Sequence, residues 1–183
     1  PTDWTSAALS ARNRRGTLAG QPEGAAVDDY AWQSKVYDAV LEPVNSPIRR
    51  IMRRTWPMAP GSLVVDVACG TGTALAEYRA AGCGVIGTDV SEAMLAQARS
   101  RLGPEADLRR ITGSRLPVED GCADGVLVAL VLHSLDRADA RQLLTEAARI
   151  VAPGGSILVT DFSVGQLRFP RGHLTRGLTA VAE

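Results

Sequence analysis

The sequence predicts an α/β fold in which a mostly parallel sheet is doubly wound by helices on both faces. Two observations carry this. After Pro60, short apolar runs alternate with amphipathic segments, the pattern of βαβ units. Each unit is closed by glycine or proline, and right-handed crossovers between parallel strands then bring ligands to the carboxyl ends of the strands, where strand order reverses. Strands are expected at 62–68, 84–88, 107–112, 125–132 and 156–161. Helices are expected at 73–81, 91–102 and 138–151, with Gly82, Gly103 and the Pro153-Gly154-Gly155 run as their stops.

Ahead of this core, residues 1–27 read as a flexible arm rich in Ala, Gly, Ser, Thr and Arg. The Arg12, Arg14, Arg15 cluster fits a solvated tail better than an anion-binding surface. Residues 28–60 read as two lead-in helices on the acceptor side. In the first, Tyr30, Val36, Tyr37, Val40 and Leu41 recur near helical spacing after Asp28 and Asp29. In the second, over 46–55, Pro47 sits in the first turn, with Pro57 and Pro60 beyond its end. There Arg49, Arg50, Arg53 and Arg54 are expected on one side and Ile48, Ile51 and Met52 on the other. That division suits an anionic lipid surface, although solvated arginines are the simpler reading.

Composition narrows the function. With 45% hydrophobic and 22% charged residues the chain can bury a core, and 20 basic against 20 acidic side chains leave no overall field toward nucleic acid or membrane. Cys69, Cys83 and Cys122 show no metal-ligand spacing, so no metal is expected and a reducing cytoplasm is the natural compartment. No apolar run reaches the roughly 18 residues a membrane span needs.

The chemistry concentrates at the ends of the first two strands. Residues 64–73, VVDVACGTGT, form an apolar strand ending in Asp66 and running through small residues into a helix. Glycines admit close backbone approach, a helix N-terminus offers unpaired N–H groups, and a carboxylate can face an ammonium or sulfonium ligand. Asp89 closes the second strand about 20 residues further on, where a nucleotide site hydrogen-bonds a ribose diol. A glycine turn alone is common packing, but the second carboxylate moves the reading to a nucleotide-like cofactor. Leu75 breaks the GxGxxG pattern of dinucleotide enzymes and the loop has no Walker lysine, so a cofactor without phosphate explains both acids.

At these residues the chain resembles the class I S-adenosylmethionine-dependent methyltransferases. VVDVACGTGT resembles their first motif and GTDVS, residues 87–91, their second. The likeness continues through Leu116 to Gly121, the strand VLVALVLH and the turn at 151–155, over roughly residues 30 to 165. In style it is similar to the ubiquinone and menaquinone biosynthesis methyltransferases and to bacterial phospholipid N-methyltransferases, which share a Tyr-Asp pair like Tyr37-Asp38. The resemblance implies a Rossmann-like sheet of order 3-2-1-4-5 and S-adenosylmethionine as cofactor. It puts Asp66, Ala68, Gly70 and Gly72 around the methionine part, Asp89 on the ribose, and Met94 with Val90 at the adenine. Ala68 replaces the family's first glycine. Thr112, followed by Gly113, replaces the acid that usually receives the adenine amino group.

Methyl transfer from a sulfonium mainly needs alignment and exclusion of water. His133, at the end of the expected fourth strand, is the candidate catalytic residue, able to take a proton from a hydroxyl, amine or carbon acceptor. Its plain alternative is a local hydrogen bond with Ser134. Tyr30, Trp32 and Tyr37 are candidates for the acceptor side. Leu132-His133-Ser134-Leu135 departs from the Asp/Asn-Pro-Pro-aromatic motif of amino-methylating base enzymes, so nucleic acid is not the expected partner. A small-molecule or lipid-like acceptor is, with at most peripheral membrane contact, which the basic, apolar stretch 167–176 also favours. A homodimer is compatible with this. The family's last two strands are expected to be missing, with 172–182 forming a helix instead. A non-catalytic cofactor-binding module acting through a partner is the second reading.

Overall fold

The computed structural model describes residues 46–162 and 177–182. Residues 46–55 form helix α1. It is followed by β1 (Leu63–Val67), α2 (Thr73–Ala80), β2 (Gly84–Asp89), α3 (Glu92–Leu102), β3 (Asp107–Arg110) and β4 (Ala123–Ala129). A 3-10 turn at Leu132–Ser134 then leads to α4 (Arg137–Ile150), β5 (Val151–Phe162) and β6 (Gly177–Ala182). The strands make one six-stranded sheet in the order β3-β2-β1-β4-β5-β6. The first five are parallel, in the order that the family resemblance implied. Since β1 pairs with both β2 and β4, strand order reverses at β1/β4, and the loops leaving these two strands border the crevice where ligands bind in such sheets.

Strand alternation divides the core between two faces. Val65, Val67, Val126 and Val128 pack with Leu143, Ala147 and Ile150 of α4. Val64, Leu127 and Leu158 point the other way, onto Met52 and Trp56 at α1 and Tyr78 of α2. Cys69, Leu75, Leu95 and Leu102 tie α2 to α3. Both faces are covered, as an all-apolar parallel strand requires.

Helix α1 corrects the expected division of its arginines. Arg49, Met52 and Trp56 are buried while Ile51 is 57% exposed. Arg49 lies 3.5 Å from Glu77 of α2, and the Arg53 guanidinium sits 5.0 Å from the centre of the Tyr78 ring. Positions 49, 52, 53 and 56 share one stripe at helical spacing, and Trp56 anchors it. The indole N–H donates to Ser156 Oγ at 2.7 Å, and its ring lies so close to β4 that a Cβ on Gly125 would come within 2.7 Å of it. The four arginines therefore do not form one face opposite Ile48, Ile51 and Met52, and the lipid-docking reading of this helix loses its basis. Among the described residues no helix is long and apolar enough to cross a membrane.

Two strand expectations and one helix expectation are corrected. The third strand stops at Arg110, leaving Thr112 and Gly113 in the following loop. The fourth stops at Ala129, because Leu130 takes a left-handed φ of +54° while its N–H still donates to Thr160 O at 2.7 Å. The chain then turns, so His133 lies in the 3-10 turn beyond the strand. Finally, Gly177–Ala182 is a strand, antiparallel to β5, where a helix over 172–182 was expected. Its Leu178, Thr179, Ala180 and Val181 run suits an edge strand as well as a helix, and pairing with β5 decides. One strand thus stands where the family's last two were expected to be missing.

Candidate functional site

The β1 strand delivers Asp66 to the crevice in a buried position, 3% exposed. Burial, and secondarily the charge of Asp89, push its carboxyl well above the usual carboxylate range. Beyond β1 the chain turns through Ala68, Gly70 and Gly72, all in the left-handed region at φ +61°, +55° and +74°. Gly72 is then the N-cap of α2, without a side-chain cap. Its missing Cβ matters twice, since a methyl there would stand 3.0 Å from the Ala98 Cβ as well as at positive φ. Ala68 holds the same kind of conformation with a side chain, so the position is strained.

Asp89, at the end of β2, fastens this loop. One carboxylate oxygen accepts the Gly70 N–H at 2.8 Å and the other accepts the Ser91 N–H at 2.9 Å. The acid is 7% exposed. Cys69 N–H donates to Thr88 O at 2.9 Å, so the loop follows the end of β2. The Cys69 thiol is pushed well up by burial, then by Asp66 and Asp89, which makes it a packing group. Arg101 of α3 donates to Thr71 O, so this guanidinium is engaged by the loop's backbone.

The remaining adenine-side candidates gather beyond Asp89. Ser91 caps α3 by accepting from Met94 N–H at 3.2 Å, and Met94 is buried in the first turn. Val90 is half-buried and packs with the core facing α4. Ile111 N–H donates to Asp89 O at 2.8 Å, which carries Thr112 and Gly113 past the end of β2, the threonine exposed. The loop after them is locked by Arg149 of α4, which donates to Leu116 O at 3.1 Å, Val118 O at 2.9 Å and Glu146 Oε2 at 2.7 Å. Glu146 in turn accepts Leu116 N–H at 2.8 Å. Burial alone would raise the Glu146 carboxyl, but its hydrogen bonds from Arg149 and Leu116 bring it below the usual value.

These groups suit a cofactor with an ammonium, a diol and an apolar ring. They offer carboxylates where a phosphate would need cations. The family model described as a methyltransferase domain matches residues 64–155. A demethylmenaquinone methyltransferase of Parafrankia sp. is 34% identical, over 85% of this chain and 70% of that protein. The chain belongs to the class I S-adenosylmethionine-dependent methyltransferases.

Another demethylmenaquinone methyltransferase, from Beutenbergia cavernae, is also 34% identical to this methyltransferase over 69% of the chain, which spans 53% of that relative's length. A Haloferax volcanii methyltransferase solved with a methyltransferase activator superposes with a TM-score of 0.62. It is 28% identical, covering 78% of this chain and 62% of that one.

His133 is held in the methyltransferase by a residue the sequence reading missed. Its Nδ1 lies 2.7 Å from Asp161 Oδ1, and its backbone N–H donates to Asp161 Oδ2 at 3.1 Å. Ser134 is not its partner, since that hydroxyl donates to Val131 O at 2.7 Å. The one local signal for Asp161 is an acid at the end of the fifth apolar run, which the structure places one residue past the Ala129↔Thr160 pair. Tyr30, Trp32 and Tyr37 lie outside the described residues.

Proposed function

We propose that this chain transfers a methyl group from S-adenosylmethionine to a quinone-type small molecule resembling demethylmenaquinone. The single observation that carries the cofactor half is the Asp89 carboxylate bridging Gly70 and Ser91 beside buried Asp66. Identity of 34% with two demethylmenaquinone methyltransferases supports the acceptor half.

The cofactor supplies, when bound, a methyl group on an electrophilic sulfonium. Asp66 would face its ammonium, and Ala68, Gly70 and Gly72 would follow its methionine part with backbone groups. Asp89 would accept from the ribose hydroxyls, while Val90 and Met94 would border the adenine, with Thr112 and Gly113 beside its amino group. These residues bind and align, and that is most of what an in-line displacement needs. Tyr30, Trp32 and Tyr37 belong to the acceptor side in this reading. Free Cys69, Cys83 and Cys122 support a reducing cytoplasm, and zero net charge argues against nucleic acid as partner. Nothing among the relatives favours a non-catalytic module.

The test is incubation with methyl-labelled S-adenosylmethionine and a dithionite-reduced prenyl-1,4-naphthoquinone. A labelled, methylated naphthoquinone is the expected product. Cofactor binding without label transfer to it would contradict the acceptor assignment.

A further inference from the structure

We propose that His133 and Asp161 form a proton-accepting pair, in which His133 takes the hydroxyl proton of a quinol-type acceptor and Asp161 is the positioning residue. The inference rests on the methyl-transfer reading above and adds to it a route for the proton.

Three features of the chain build the pair. The left-handed Leu130 ends β4 abruptly, while its N–H keeps the bond to Thr160 O that holds β4 against β5. The 3-10 turn Leu132–Ser134 then brings His133 onto the next residue of β5, Asp161. Both oxygens of that carboxylate are used, one on the imidazole at 2.7 Å and one on the His133 backbone N–H at 3.1 Å. Ring and main chain are thus fixed to the same group. A strained residue such as Leu130 persists only where its surroundings hold it, and here its effect is to aim one histidine.

The pairing fixes the chemistry of the ring. A carboxylate against Nδ1 selects the tautomer with the proton on Nδ1, which makes Nε2 the basic atom of the ring. The Asp161 side chain is 13% exposed and that of His133 34%, so the anchor is covered while the ring reaches the surface. The pair stands at the carboxyl ends of β4 and β5, on the same edge of the sheet as the loop after β1.

An acceptor without a removable proton, such as a tertiary amine or thioether, has no use for such a pair. A quinol has one. Its O–H bond breaks with the electron pair left on the conjugated ring, and a nucleophilic atom of that ring bonds to the methyl carbon. The C–S pair stays on sulfur, and the proton ends on His133 Nε2. The sulfonium's positive charge is thereby replaced by that of the imidazolium, opposite Asp161.

Nitrogen-15 NMR of the whole chain tests the pair without turnover, because the sequence holds two histidines, His133 and His173. The expected His133 signal is that of the Nδ1–H tautomer, lost in Asp161→Asn. An Nε2–H tautomer in the unsubstituted chain would overturn the proposal. In parallel, the reduced prenyl-naphthoquinone is assayed with S-adenosylmethionine. His133→Ala is expected to lower kcat about 10²-fold or more with cofactor affinity unchanged, partly restored by added imidazole, and Asp161→Asn to lower kcat in the same direction. Unchanged kcat in His133→Ala overturns the proposal while leaving methyl transfer intact. Loss of cofactor binding by the unsubstituted chain would instead overturn the reading on which it rests.

Discussion

The Asp66 carboxyl is buried beside the Asp89 carboxylate, and burial first, then the Asp89 charge, raise its pKa well above the ordinary range. Folding therefore favours the protonated form. Asp66 contributes stability fully below its unfolded-state pKa, and that contribution is lost as pH rises through the raised folded value. An arriving ammonium reverses the preference. Binding of S-adenosylmethionine is thus expected to release a proton, visible as a calorimetric heat that differs between buffers of unequal ionisation enthalpy. Asp66→Asn should abolish that difference and weaken binding about tenfold or more, while leaving stability at neutral pH equal or higher. Heats independent of the buffer would contradict this account.

Ala68 and Gly87 give opposite expectations for small changes. Ala68→Gly relieves a left-handed alanine, worth about 1–2 kcal/mol, against the extra chain entropy of glycine, for a net gain of about 0.5–1 kcal/mol. Gly87→Ala puts a Cβ 2.7 Å from Leu108, 2.8 Å from Leu75 and 2.9 Å from Cys69. It should cost about 1–3 kcal/mol through overpacking. Urea unfolding of both variants checks the pair, and a lower midpoint for Ala68→Gly would refute the strain argument.

Glu146 sets an acid limb. Its carboxyl stays below the ordinary value because hydrogen bonds from Arg149 and Leu116 outweigh burial. A lowered folded pKa contributes stability above the unfolded glutamate value and loses it as pH falls through the folded one. Glu146→Gln, which removes the charge opposite Arg149, should lower stability at neutral pH by about 1.5–3 kcal/mol and flatten the acid limb. Thermal unfolding between neutral and acidic pH decides, and parallel curves for the two proteins would show that the carboxylate's charge does not matter.

How much of this was legible depended on range along the chain. The alternating units around Val64, Ile86 and Val126 made the parallel α/β class legible, because apolar runs broken by glycine are local features, while the order of the strands was implied by the family resemblance. Asp66, Gly70, Gly72 and Asp89 were legible for the same reason, sitting at strand ends. What escaped depended on contacts between distant elements. The inward face of α1 is chosen by Trp56 against Gly125 and Ser156, and Asp161 meets His133 only because Leu130 turns the chain back. Gly177–Ala182 reads locally as helix or strand, and pairing with β5 settles it.

In the proposed function Asp89 both fastens the loop after β1 and receives the ribose of S-adenosylmethionine. Calorimetric titration of the chain and of Asp89→Ala with S-adenosylmethionine and S-adenosylhomocysteine, with NAD as control, tests it most directly. Both sulfur ligands are expected to bind and NAD not to, and the variant should lose about tenfold to a hundredfold in affinity, the worth of about 1.5–3 kcal/mol in charge-assisted hydrogen bonds. Equal affinity in Asp89→Ala, or binding of NAD in place of the sulfur ligands, would contradict it.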